Sequence, residues 1–286
     1  VSPVYPAGAQ GGWYRGPVTV SWTVDDPSAT VPPPVTVSSP GASQLVVSAP
    51  TCDLAGNCGS GTAVVSIDTT GPSVAGSQAP AANAANWNNT PVVVSWSCDD
   101  SLSGVGSCPA SSTLGEGEGQ TVTVSASDVA GNTTPGSYGP VNVDLTAPLV
   151  SGHPVEAPNA AGWFKADVHI HWVCSDALSG VLVCPADSTI GGEGAGLNTA
   201  ADASDRAGNE THALSDTVRI DRTAPVTSSD VTDSWVSTAV VAHFSASDNL
   251  SGVASTSFSV DGGMVQFGDH VTVSGAGAHV LRWWST

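Results

Sequence analysis

Val92-Val93-Val94-Ser95-Trp96-Ser97-Cys98 decides the fold. Val92, Val94, Trp96 and Cys98 take one set of alternate positions, and Ser95 and Ser97 fall between the last three. Alternation with period two describes a β-strand with one face in a core and the other in solvent. The pattern returns as Val18, Val20, Trp22, Val24, as Val168, Ile170, Trp172, Cys174, and as Val240, Ala242, Phe244, Ala246. Outward from these strands, Trp13, Trp87, Trp163 and Trp235 mark a second repeated position upstream. Downstream come Asp53-Leu54-Ala55-Gly56-Asn57, Asp128-Val129-Ala130-Gly131-Asn132 and Asp205-Arg206-Ala207-Gly208-Asn209. Asp68-Thr69-Thr70-Gly71-Pro72, Asp144-Leu145-Thr146-Ala147-Pro148 and Asp221-Arg222-Thr223-Ala224-Pro225 follow them in turn.

A period of about 76 residues is a whole small domain, so the chain divides into an array. The expected modules are residues 1–70, 71–146, 147–223 and 224–286, the last incomplete at its C-terminal end. No stretch keeps a helical period, and 32 glycines and 20 prolines cut the chain into short runs. Gly-Asn at the repeated turn supplies the positive φ of a tight hairpin join. About seven short strands per module point to antiparallel β-sandwiches of immunoglobulin type, arranged as an extended array. Trp22, Trp96 and Trp172 are expected in the cores, with Trp13, Trp87 and Trp163 capping them rather than stacking on a sugar ring.

Charge narrows the functions. Six Lys and Arg against 25 Asp and Glu give a net charge of −19, which repels nucleic acid and anionic membrane surfaces. No apolar run is long enough to span a bilayer. The chain starts at Val1 and its one methionine is Met264, so it reads as a piece of a longer polypeptide, monomeric within it. Cys52 and Cys58, Cys98 and Cys108, and Cys174 and Cys184 form local pairs without neighbouring histidine ligands, which suits disulfides in an oxidising compartment rather than zinc.

Trp-x-Cys-x-Asp, Leu-Ser-Gly-Val, Glu-Gly, Asp-x-Ala-Gly-Asn and Asp-x-Thr-Ala-Pro together resemble the bacterial immunoglobulin-like and hyalin-type repeats of secreted and surface, adhesin-like proteins. The resemblance covers 71–146 and 147–223 best; in the first module Val24 stands where the others have Cys98 and Cys174. It implies a secreted or cell-surface location and a structural, spacer or adhesion task, with an unknown protein or glycan as surface ligand. An accessory or carbohydrate-binding region of a secreted hydrolase is the alternative.

The repeated acids admit two readings. With sandwich topology the loops after the second and sixth strands share a pole with the incoming linker. Asp68, Asp99 and Asp128 would then converge at the first junction, and Asp144, Asp176 and Asp205 at the second, with Asn132 and Asn209 as carbonyl donors. Asp221 and Asp248 stand at the corresponding places of the fourth module. Such a set of oxygens suits calcium, which would stiffen the junction. Alternatively, each turn Asp accepts hydrogen bonds from its own downstream amides, which alone explains the Asp-x-Ala-Gly-Asn turns; the linker acids carry most of the calcium reading. His169 and His171 share an outward strand face with no third ligand at a convincing spacing, as ordinary surface histidines do. No catalytic residue and no other cofactor is expected. Glu116, Glu118 and Glu193 lie in Gly-rich loops with nothing to fix a carboxylate pair across a cleft, and no Gly-x-Ser-x-Gly or His-based triad occurs.

Overall fold

The alternation is literal in the structure: Val18, Val20 and Trp22 are buried while Thr19, Ser21 and Thr23 are exposed. In the computed structural model, which describes residues 1–286, all regular structure is β, in many small and mostly antiparallel sheets with no helix. No helix is therefore long and apolar enough to cross a membrane. The chain forms two compact units, residues 1–146 with 206–209, and 147–205 with 210–286.

In the first unit, Val18–Thr23 lies between Ser2–Val4 and Val35–Val37, antiparallel to both. Its inward side chains pack with Val46, Ala63, Val65 and Ile67 from a second sheet of Gly41–Val47, Thr62–Ile67 and the short parallel strand Trp13–Tyr14. Each fully buried Val or Ile among them contributes about 1.5–3 kcal/mol. Val92–Asp99 sits likewise between Ser73–Ala79 and Ser112–Leu114. The long Gly117–Asp128 strand pairs with Val105–Ser107 and Thr133–Val143. Val92, Val141 and Val143 form a separate core cluster there, with Leu114 and Tyr138 against it.

In the second unit, Val168–Ser175 lies between Leu149–Pro154 and Ser188–Ile190. Val168, Ile170 and Trp172 pack with Ile190, Val218 and Ile220. Ala200–Asp205 pairs with Val181–Val183 and Glu210–Leu214. Val240–Ser247 pairs with Val226–Ser229 and His270–Val273, and Thr256–Val260 with Gln266–Phe267 and Leu281–Ser285. Ala242, Phe244 and Phe258 close a small core, with the two phenyl centroids 5.3 Å apart.

Two tryptophan positions behave differently from one another. Trp22 and Trp172 are buried, whereas Trp96 is half-buried. Trp172 lies opposite Gly152 in the sheet register, and a Cβ on that glycine would stand 2.7 Å from the indole. Trp96 faces Gly76 in the same way, at 3.0 Å. A glycine across the strand is thus what lets a large ring lie down over its neighbour. Among the expected caps, Trp87 is buried, Trp13 and Trp163 are half-buried, and the corresponding Trp235 is 86% exposed.

All six cysteines form the expected disulfides, Cys52–Cys58, Cys98–Cys108 and Cys174–Cys184. Cys98–Cys108 and Cys174–Cys184 each staple the end of a central strand to the segment that starts the next sheet. Cys52–Cys58 clamps the Asp53–Asn57 turn between two short paired strands.

Candidate metal centre

Three turns in the first unit build the site. After Val92–Asp99 the chain turns through Leu102-Ser103-Gly104, and Asp100 Oδ1 accepts the Leu102 and Gly104 amides at 3.2 and 2.7 Å. Gly104 has φ of 82°, a conformation that costs glycine little and other residues more. The Ser103 amide between them donates to Asp68 Oδ2 at 3.0 Å, and the Thr70 amide to Asp68 Oδ1 at 3.0 Å. Asp128 opens the third turn, accepting the Asn132 amide and Nδ2, each at 2.7 Å. The Val129 amide donates to Gly104 O at 2.9 Å, tying that turn to the first.

The consequence is a knot of negative charge. Carboxylate oxygens of Asp68, Asp100 and Asp128 all lie within 4.8 Å of one another. Asp68 is 0% and Asp128 3% exposed, and no lysine, arginine or histidine pairs with any of the three. Burial pushes the Asp68 carboxyl up, but hydrogen bonds from Ser103 and Thr70 outweigh it and hold its pKa below the ordinary value. Uncompensated buried carboxylates are costly, and a cation is the ordinary remedy. The donors are hard oxygens without nitrogen or sulfur, and two ligands on one calcium at 2.3–2.6 Å stand up to about 5 Å apart, which the cluster fits.

Three of the expected ligands sit otherwise in the structure. Asp99 ends its strand on the outward face, with its side chain exposed; the position that turns to the cluster is Asp100, one residue on. Asn132 does not offer a carbonyl: its Nδ2 faces Asp68 O at 2.9 Å and Asp128 Oδ2 at 2.7 Å, and two acceptors require the amide nitrogen there. Asn209 acts alike, its Nδ2 donating to Asp144 O at 2.9 Å.

The other expected acids keep the same local geometry. Asp144 is fully buried and accepts the Thr146 amide at 3.1 Å. In the second unit Asp176 Oδ1 accepts the Leu178 and Gly180 amides at 3.2 and 2.6 Å, and Asp176 and the buried Asp205 bring carboxylate oxygens within 4.8 Å. Asp248 Oδ1 takes the Leu250 and Gly252 amides, each at 2.9 Å, and its Oδ2 is buried without a partner. Asp221 Oδ2 accepts the Ser251 amide at 2.8 Å, and hydrogen bonding from Ser251 holds its carboxyl below the ordinary range.

Sequence reasoning missed the part played by the Glu-Gly loops. Glu116 accepts the Thr146 hydroxyl at 2.9 Å, and Glu193 accepts the Arg222 amide at 2.6 Å and the Thr223 hydroxyl. The signal was available, since each glutamate stands about 30 residues before the Thr of an Asp-x-Thr-Ala-Pro linker. His169 and His171 are exposed as expected, with Nδ1 bonded to Glu156 at 2.6 Å and Asp187 at 2.9 Å.

No protein-family profile matches the chain, and no curated protein is similar to it. Among solved structures it is similar to a Ca2+-stabilized adhesin that helps an Antarctic bacterium reach out and bind ice, with 13% identity, TM-score 0.33, and coverage of 100% of this chain and 97% of that one. It is also similar to a tetra-tandem repeat in the extending region of a large adhesion protein, with 17% identity, TM-score 0.28, and coverage of 98% and 90%.

Proposed function

We propose that the chain is a run of immunoglobulin-type β-sandwich modules, 1–70, 71–146, 147–223 and 224–286, forming an extended, non-catalytic spacer in a secreted or cell-surface bacterial adhesin-like protein. Calcium held by Asp68, Asp100 and Asp128 stiffens it, with related acids serving the later repeats. One observation carries this reading: the linker acid Asp68 is buried and bonded to the turns of the residues that follow it, through Ser103 and Asn132. A linker tied at both its side chain and its main chain has lost its freedom to swivel, and a divalent ion among three carboxylates would lock it further. Three disulfides favour an oxidising, extracellular setting.

Small-angle scattering with calcium and with a chelator tests the proposal. The expected radius of gyration exceeds by half or more the value of about 19 Å for a compact globule of this length, and it grows on adding calcium. A calcium-independent value near 19 Å refutes the array.

A second reading, a carbohydrate-binding region, is favoured by Trp235. Its exposed ring lines a cleft of about 580 Å3 together with Asp230, Thr232 and Asp233. An aromatic face beside hydrogen-bonding groups suits a sugar ring. Glycan-array binding by the wild type that vanishes in Trp235→Ala supports it; an array blank for both removes it.

A further inference from the structure

All seven histidines lie in the second unit, between His153 and His279, and each turns Nδ1 to a carboxylate oxygen 2.6–2.9 Å away. An ionised carboxylate only accepts, so the neutral imidazole carries its proton on Nδ1 and leaves the Nε2 lone pair free. This is the arrangement in which metal-ligating histidines are held, with the far ring nitrogen donating to a carboxylate.

Strand register then brings two of these rings together. His243 on Val240–Ser247 pairs directly with His270 on His270–Val273, on the outward face of the sheet. Their ring centroids are 6.2 Å apart, with the planes at 36°. Their Nδ1 atoms are taken by Asp230 and Asp269, each at 2.8 Å, and both side chains are 64% exposed. Two imidazoles sharing a tetrahedral ion through Nε2 at about 2.0–2.1 Å hold their centroids about 5 Å apart. Rotation of two exposed side chains closes the difference.

We propose that His243 and His270 bind a divalent transition ion of the zinc, copper or nickel class through their Nε2 atoms, with water completing the coordination. Imidazole suits these ions and not calcium, so the site is chemically separate from the carboxylate cluster. The same device recurs where His171, one residue before Trp172 as His243 is before Phe244, pairs across the sheet with His153. Its Nδ1 meets Asp187, and that of His153 meets Asp216. The matching positions in the first unit are Ser21 and Ser95, and that unit has no histidine.

Isothermal titration of the 286-residue chain with zinc chloride, in saturating calcium, tests the site. The expected result is micromolar uptake whose stoichiometry falls by one ion in His243→Ala and equally in His270→Ala. Because both side chains are exposed, circular dichroism of the variants should match the wild type. His212→Ala, whose cross-strand neighbour is Asp202 rather than histidine, should retain full uptake. No zinc uptake by the wild type, or undiminished uptake by His243→Ala and His270→Ala, overturns the proposal.

Discussion

Replacing Asp100 by asparagine separates two jobs carried by one side chain. The Leu102 and Gly104 amides both donate to Oδ1, and an asparagine carbonyl accepts the same bonds, so the turn survives. The loss is one negative charge of three whose oxygens lie within 4.8 Å. At an effective dielectric of about 20, unit charges at that separation repel by about 3.5 kcal/mol. Solvent at half-buried Asp100 reduces the relief to about 1 kcal/mol. In chelator, Asp100→Asn should therefore raise the Tm of the first unit by about 2–4 °C. With calcium at 100 times its Kd the order reverses. The wild type then gains about 2.7 kcal/mol, or about 5–10 °C, and the variant much less, having lost a ligand. Differential scanning calorimetry of both proteins, with chelator and with calcium, reads the four melting temperatures. Equal calcium-induced rises in the two proteins, or a variant less stable than wild type in chelator, would show that Asp100 serves its turn alone.

Three further outcomes are expected. Replacing Cys98 and Cys108 by serine opens a loop of sequence separation 10 and should cost about 2.7 kcal/mol in non-reducing urea titration, against about 2.2 kcal/mol for Cys52 and Cys58 at separation 6; a loss under about 1 kcal/mol would contradict the chain-entropy account. Asp68 has a depressed pKa in the fold, so its contribution is complete above its unfolded value of about 3.9 and disappears as pH falls through the folded one. In calcium-free buffer the stability difference between wild type and Asp68→Asn should stay level from pH 8 to 5 and shrink only below about pH 4; shrinkage between pH 7 and 5 would assign the effect to another group. Gly152→Ala places a methyl 2.7 Å from the Trp172 ring and should cost about 1–3 kcal/mol, whereas Gly196→Ala, with nothing within 4 Å, should leave the denaturation midpoint unchanged.

How far the sequence spoke depended on the kind of signal. Period-two alternation is set by one strand and its solvent, so the buried face of Val18, Val20 and Trp22 was legible residue by residue. The disulfides were legible because partners lie within ten residues. The Trp172–Gly152 and His243–His270 pairs were not, since each depends on the register between two strands, and register is a property of the pair. Trp235 shows the same limit: its repeat position matches Trp87, but burial depends on what lies over the ring, and here nothing does.

Asp99 and Asp100 show where pattern reading could have gone further. Both acids follow Cys98, and choosing between them by eye favours the first. Counting from the inward-facing aromatic removes the choice: Trp96, Trp172 and Phe244 are each followed four residues later by Asp100, Asp176 and Asp248. In all three the acid accepts the amides two and four residues beyond it, and the last of these belongs to a glycine with φ near 80°. The Leu-Ser-Gly that follows is therefore an instruction for three consecutive amides. In the first and last of these turns the outer two amides hold the loop's own acid, and the middle one, Ser103 or Ser251, reaches the linker acid Asp68 or Asp221. A motif that pure turn chemistry would explain with one acid is built around two, and the second arrives from about 30 residues upstream.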